Sequence, residues 1–270
     1  MTVDPKDRFR FGDNWIDFLS RISDENILEA QKSLCLMLYT DSMKGKSFLD
    51  IGSGSGLFSL AAYNMGAKVF SFDFDPQSVA CTQELKHRYC KNSEDWIIEE
   101  SSILNNEYMN RIGKFDYVYS WGVLHHTGDM WEAIGNAISA VNENGVCFIS
   151  IYNDQGVRSK RWKKIKKFYG TGFFGRSLVK TVYLPYFLFR VELNEFIKGR
   201  NPFTVFKRYK SNRGMSLFND WIDWLGGYPF EVAKPEEIFE YFKKSGFILT
   251  KLKTTLGLGC NEFVFRKISP

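Results

Sequence analysis

Short apolar runs and longer amphipathic stretches take turns along the first half of this chain, and their periods predict a parallel sheet layered with helices. An apolar stripe of Ile27, Leu28, Leu34 and Leu38 predicts a helix over residues 24–39. The run Phe48, Leu49, Ile51 reads as a buried strand, and residues 57–65 read as the helix after it. A second strand ends in Asp73, and Asp75 followed by Pro76 reads as an N-cap and first-turn proline opening a helix over 77–89. A short strand at 96–98, a fourth in 114–121 and a fifth at 146–152 continue the series. Asp129 and Glu132 have the spacing of a capping box at the start of the helix after the fourth strand. Strand and helix in alternation predict an α/β fold: a Rossmann-like, seven-stranded, mostly parallel sheet with helices on both faces.

The alternation stops at residue 155. It resumes where Pro235, Glu236 and Glu237 reopen a helix, followed by strands at 247–254 and 262–267. Residues 155–232 hold 18 of the chain's 45 aromatics, too many for a disordered linker. The expected organisation is therefore an N-terminal helical cap (1–45), an α/β core (46–154), a basic, aromatic-rich lid insertion (155–232) and a C-terminal return of the core (233–270).

The loop after the first strand carries the most specific chemistry. In FLDIGSGSG, residues 48–56, an acid at a strand's end precedes three glycines, which allow a ligand to approach the backbone closely. A phosphate-binding P-loop needs Gly-Lys-Ser/Thr, whereas Gly56-Leu57-Phe58 stands here. A dinucleotide loop has G-x-G-x-x-G, whereas the spacing here is G-x-G-x-G, with Asp50 placed to face a cation such as an amino group. Asp73, 17 residues past Gly56, stands where an acid accepts ribose hydroxyls, and Phe74 beside it offers a ring for a base or for the core.

On these residues the chain resembles the class I S-adenosylmethionine-dependent methyltransferases, over residues 46–153 and again from Pro235, and looks closest to the ubiquinone-biosynthesis O-methyltransferase branch. The resemblance implies S-adenosyl-L-methionine as cofactor. Asp50, Gly52, Ser53, Gly54 and Gly56 would form the methionine-side loop, Asp73 would hold the ribose, and Phe74, Ser102 and Ile103 would lie by the adenine. Ser102 departs from the aspartate the family often has, which shifts adenine recognition toward backbone groups. Ser120 and Trp121 would line the methionine moiety.

Two of the chain's three histidines, His125 and His126, stand together where the fourth strand ends. Imidazole titrates near neutral pH, so either can serve as base toward a weakly acidic hydroxyl, or simply bond a nearby carbonyl. His87 reads as a surface residue. Topology also sends Tyr152 and Asn153 to the cleft mouth. Within residues 213–231, Asp220 and Asp223, and likewise Trp221 and Trp224, are three apart and share helix faces, with Gly226 and Gly227 ending the helix. These residues, with Arg213 and with Trp15 from the cap, are expected to wall the acceptor, Asp220 doubling as an auxiliary base.

Charge sharpens the picture of the insertion. Residues 158–213 carry 16 Lys and Arg against Glu192 and Glu195, a net of +14, while the whole chain is only +5. A basic lid on an acidic body suits an anionic or lipid-linked acceptor, and the apolar segment 182–189 between Lys180 and Arg190 suits peripheral contact with a membrane. No run reaches the roughly 18 to 20 apolar residues of a membrane span, and the polar start MTVDPKDRFRFGDN is unlike a signal peptide, so the expected location is cytoplasmic, with peripheral contact at the membrane. Five cysteines without a C-x-x-C pair read as reduced thiols, and no metal site is expected. The reading favours a methyltransferase acting on a small molecule, an O-methyltransferase with a histidine base. The alternatives are an RNA methyltransferase whose lid tracks phosphates, N-methylation of a small molecule, and a cofactor-binding protein without catalysis.

Overall fold

The computed structural model describes residues 19, 22–91, 93–199, 201 and 217–268. In chain order the elements are α1 (Asp24–Leu38), β1 (Ser47–Ile51), α2 (Leu57–Asn64), β2 (Lys68–Asp73), α3 (Pro76–Cys90), β3 (Trp96–Glu100), α4 (Asn106–Ile112), β4 (Phe115–Trp121), a 3-10 turn (Leu124–His126), α5 (Met130–Ser139), β5 (Val141–Tyr152), α6 (Val157–Tyr169), α7 (Phe173–Ile197), α8 (Leu217–Gly226), α9 (Pro235–Lys244), β6 (Phe247–Lys253) and β7 (Cys260–Lys267). The strands form one seven-stranded sheet in the order β3-β2-β1-β4-β5-β7-β6. The first five are mutually parallel, and β7 runs antiparallel to both its neighbours.

Alternate residues of each strand feed opposite faces, as a pleated strand between two helical layers requires. Phe48, Val146 and Phe148 pack with Leu34, Leu60 and Leu85 of α1, α2 and α3. Leu49, Cys147 and Ile149 pack with Met109, Ile134 and Phe242 of α4, α5 and α9. Helix starts follow local chemistry: Ser23 caps α1 through Asn26, Asp75 accepts from Gln77 N with Pro76 in the first turn of α3, and Asp129 accepts from Glu132 N to start α5. The fifth strand begins earlier than its apolar run predicts, at Val141. A shift in its pairing with β4 between Phe115 and Tyr117, with Asn144 at φ 60°, carries this polar stretch into the ladder.

The segment between β5 and α9 is helical where described. Residues Trp162, Ile165 and Tyr169 of α6 pack with Val179, Tyr183 and Phe187 of α7 and with Trp224 and Leu225 of α8, forming a third, smaller core. It sits beyond the carboxyl end of β5, the sheet edge at which open α/β folds bind ligands.

Candidate active site

The loops after β1, β2 and β4 meet at that edge. Gly52, Gly54 and Gly56 all take positive φ, at 75°, 57° and 79°, a region costly for residues with a Cβ. A Cβ on Gly52 would fall 2.5 Å from both Val123 methyls, and one on Gly56 would fall 2.9 Å from Thr82. The first contact ties the glycine loop to the turn that carries the histidines. Ser53 and Thr82 fix the loop from below through their hydroxyls, 3.0 Å apart.

Asp73 threads the loop together: one carboxylate oxygen accepts from Gly54 N and the other from Asp75 N, both at 2.9 Å. Each oxygen keeps a further lone pair for a hydroxyl donor. Burial pushes its pKa up to about 6 against the pull of those amides. Asp50, almost wholly buried, accepts from Ser59 Oγ at 2.5 Å, and Ser59 continues to Ser71 and Trp96 Nε1. Burial, outweighing the Ser59 bond, pushes Asp50 up to about 7. A carboxyl so placed is stabilised by a neighbouring cation. Phe74 is 42% exposed beside Asp73. Ser101 N donates to Asp73 O, which brings the 101–105 loop alongside; Ser102 Oγ accepts from Leu104 N, while the Ile103 side chain belongs to the core. Ser120 is buried and donates to Ile51 O, so it joins β4 to β1, and Trp121 reaches Glu262 on β7.

His125 and His126 occupy one turn in different settings. His125 is fully buried, its ring 4.1 Å from that of Tyr152 and 4.6 Å from that of His126. No hydrogen bond of good geometry reaches its ring nitrogens, and burial holds its pKa well below the usual range despite the Ser150 backbone nearby. It is a packing ring, contrary to its expected role as a base. His126 Nδ1 lies 2.6 Å from Pro229 O. A carbonyl only accepts, so Nδ1 carries the proton and Nε2 the lone pair. Burial, then the Lys166 charge, push His126 down to about 3, so it stays neutral at physiological pH.

An aromatic basin surrounds this turn. Tyr152, half-buried, has the Phe230 ring at 5.0 Å and the Trp224 ring at 5.5 Å. Trp221 contacts Phe187 at 5.6 Å, so it holds α8 to α7. Asp223 is near enough for its charge to act on Tyr152 and Lys166. Asn153 corrects an expectation. Its amide donates to Thr255 O and Gly257 O and accepts from Asn261, so it braces the β6–β7 connection instead of facing an acceptor. Trp15 and Arg213 lie outside the described residues, as does the side chain of Asp220 on α8.

Two residues that sequence reasoning passed over shape the basin. Lys166, one of the basic residues expected to meet an anionic partner, is fully buried, its ammonium donating to Trp224 O and lying 4.1 Å from the Trp224 ring centroid and 4.9 Å from that of Phe230. Burial, against the pull of Asp223, lowers its pKa to about 7. The signal was present: Trp162, Ile165, Lys166 and Tyr169 fall at i, i+3, i+4 and i+7, one helix face. Glu231 accepts from Gly128 N and Met130 N, and its own N–H donates to His125 O, clamping the 228–231 segment to the histidine turn.

A methyltransferase-domain family model matches residues 7–180, well over half of the chain. The chain belongs to the class I S-adenosylmethionine-dependent methyltransferases. Among curated relatives, a ribosomal protein L11 methyltransferase of Legionella pneumophila is 47% identical over 60 residues, 22% of this chain and 21% of that protein. A ubiquinone biosynthesis O-methyltransferase of Pelagibacter ubique is 25% identical over 150 residues, 56% of this chain and 59% of that protein. The chain thus spans only part of the length of the curated relatives it matches. Magnesium protoporphyrin IX methyltransferase from Synechocystis, solved with bound S-adenosylhomocysteine, shares the fold at a TM-score of 0.53 and 13% identity, over 89% of this chain and 83% of that one. The donor set suits the family's cofactor: Asp73 retains acceptor capacity for two hydroxyls, Phe74 presents a ring, and buried Asp50 favours a cation above the glycine loop.

Proposed function

We propose that this protein methylates a hydroxyl of a small-molecule acceptor that enters at the carboxyl ends of β4 and β5. The observation that carries the reading is the contact between Gly52 and Val123, which sets the glycine loop directly against the turn presenting His126 to the Tyr152, Trp224 and Phe230 basin. When bound, S-adenosylmethionine supplies an electrophilic methyl on a sulfonium, so the protein's work is orientation and handling of one proton. Asp73 would hold the ribose, Asp50 the amino group and Phe74 the adenine. The basin's rings exclude water and fix the acceptor, and positioning of this kind supplies roughly 7 kcal/mol or more of rate enhancement.

His126 takes the hydrogen bond of the acceptor hydroxyl at Nε2, with Pro229 O holding the ring in that tautomer. Because its pKa is about 3, its part is to align the nucleophile, and the hydroxyl proton released as the O–CH3 bond forms and the S–CH3 bond breaks passes to solvent. The test is incubation with labelled S-adenosylmethionine and separated small-molecule, lipid, RNA and protein fractions. Label is expected in a small-molecule or lipid pool. His126→Ala is expected to lower that incorporation about 100-fold, the scale of a misoriented nucleophile, while adenosylhomocysteine affinity stays within a few-fold. Label in RNA or protein alone, or full activity in the variant, overturns the assignment. The exposed lysines of α6 favour RNA as the second reading, marked by co-purifying nucleic acid and a steep salt dependence.

A further inference from the structure

Helix α7 is 25 residues long, about 37 Å at the α-helical rise, and among the described residues no element covers one whole side of it. Phe174, Leu178, Val182, Tyr186, Phe189, Leu193 and Phe196 recur at three- and four-residue steps and are all exposed. Its other side is accounted for, since Tyr183 and Phe187 pack on Trp162 of α6. A continuous exposed apolar stripe marks an interaction surface. The charge around it identifies the partner. From Val157 to Ile197 there are ten Lys and Arg against two Glu, a net of +8. Lys160, Lys163, Lys164 and Lys167 fall at i, i+3, i+4 and i+7 on the exposed side of α6.

We propose that α7 lies in the plane of an anionic phospholipid surface, its aromatic stripe in the headgroup boundary and the net positive charge of the α6–α7 segment drawing it to the lipid phosphates. Among the described residues no helix is long and apolar enough to cross a membrane, so this contact is interfacial. Rings of Phe and Tyr suit that boundary, and basic residues add electrostatic attraction to anionic lipid. A second copy of the chain is the less favourable occupant, because two such surfaces would bring like charge against like charge. The stripe and the basin are built on the same α6–α8 core.

Vesicle flotation of the full chain tests this, with phosphatidylcholine alone and with added phosphatidylglycerol, at low and high salt. Wild type is expected to float with the anionic vesicles and to dissociate as salt rises. Phe174, Phe189 and Phe196 are 75%, 63% and 76% exposed, so their replacement leaves the core intact. The triple variant Phe174→Ser, Phe189→Ser, Phe196→Ser is expected to lower partitioning by at least about ten-fold, given the transfer cost of exposed rings. A Lys160→Gln, Lys163→Gln, Lys164→Gln, Lys167→Gln variant is expected to lose the preference for anionic vesicles. Unchanged adenosylhomocysteine affinity checks folding and is independent of the lipid result. Wild type that stays in solution, or a triple variant that floats as wild type does, overturns the proposal. So does a wild-type dimer that the triple variant converts to monomer without any vesicle binding, which would assign the stripe to self-association.

Discussion

Asp50 and Asp73 sit one strand apart at the carboxyl ends of β1 and β2, and their environments set a measurable proton balance. Burial raises them to about 7 and about 6, above the ordinary carboxyl value near 4. A raised folded-state pKa means that the folded protein binds more protons than the unfolded chain in that window. The stability these groups contribute is therefore fully present below about pH 4 and is lost as pH rises toward 7. Asp50→Asn removes one such group, so urea unfolding should show the variant gaining on wild type between about pH 4 and 7. A difference that does not vary with pH would show that Asp50 keeps an ordinary pKa. A ligand ammonium favours the ionised carboxylate, so adenosylhomocysteine affinity should rise over the same range in wild type and less in Asp50→Asn. At this scale the sequence was legible where spacing carries chemistry, as in the glycine loop and Asp73. It was less so where burial decides a role: nothing local distinguishes His125, packed under Tyr152, from His126, turned to Pro229. The same burial removes the rate increase that an unperturbed His126 would give near pH 6.5.

Among the elements, α6 departs most from what its composition suggests. Its run of lysines reads as a solvated face, yet Lys166 points inward among Trp224 and Phe230 while Lys163, Lys164 and Lys167 stay exposed. The inward lysine has a lowered folded-state pKa, so between about pH 7 and 10 the unfolded chain binds the extra proton and stability rises with pH. Lys166→Met keeps the helix and most of the volume. Thermal or urea unfolding is predicted to show a shallower rise over pH 7 to 10 in this variant than in wild type; equal slopes would mean that Lys166 is not held in this low-dielectric site. α3 was legible from sequence to within a few residues because Asp75 and Pro76 act locally, and α1 because its apolar stripe has the helical period. The start of β5 was not, because its polar first residues are held by the ladder with Phe115 and not by any apolar pattern of their own.

Across the whole molecule, two helical layers on one sheet hold the glycine loop and the histidine turn in register, and the α6–α8 core meets the carboxyl end of β5 through Tyr152 and Trp224. The parallel sheet was legible because buried strands need continuous apolar runs and helices need a 3.6-residue period. The α6–α8 arrangement was not, because its contacts join rings far apart in sequence, such as Trp162 with Trp224 and Tyr152 with Phe230. The β1 and β2 loops are expected to bind an adenosyl amino acid and not a dinucleotide. Titration calorimetry of the purified chain tests it most directly. Wild type should bind S-adenosylhomocysteine without competition from NAD, and Asp73→Ala should weaken that binding by about ten- to a hundred-fold, the loss of one or two hydrogen bonds to a charged group. Binding of NAD with no uptake of S-adenosylhomocysteine, or an Asp73→Ala variant with wild-type affinity, would contradict it.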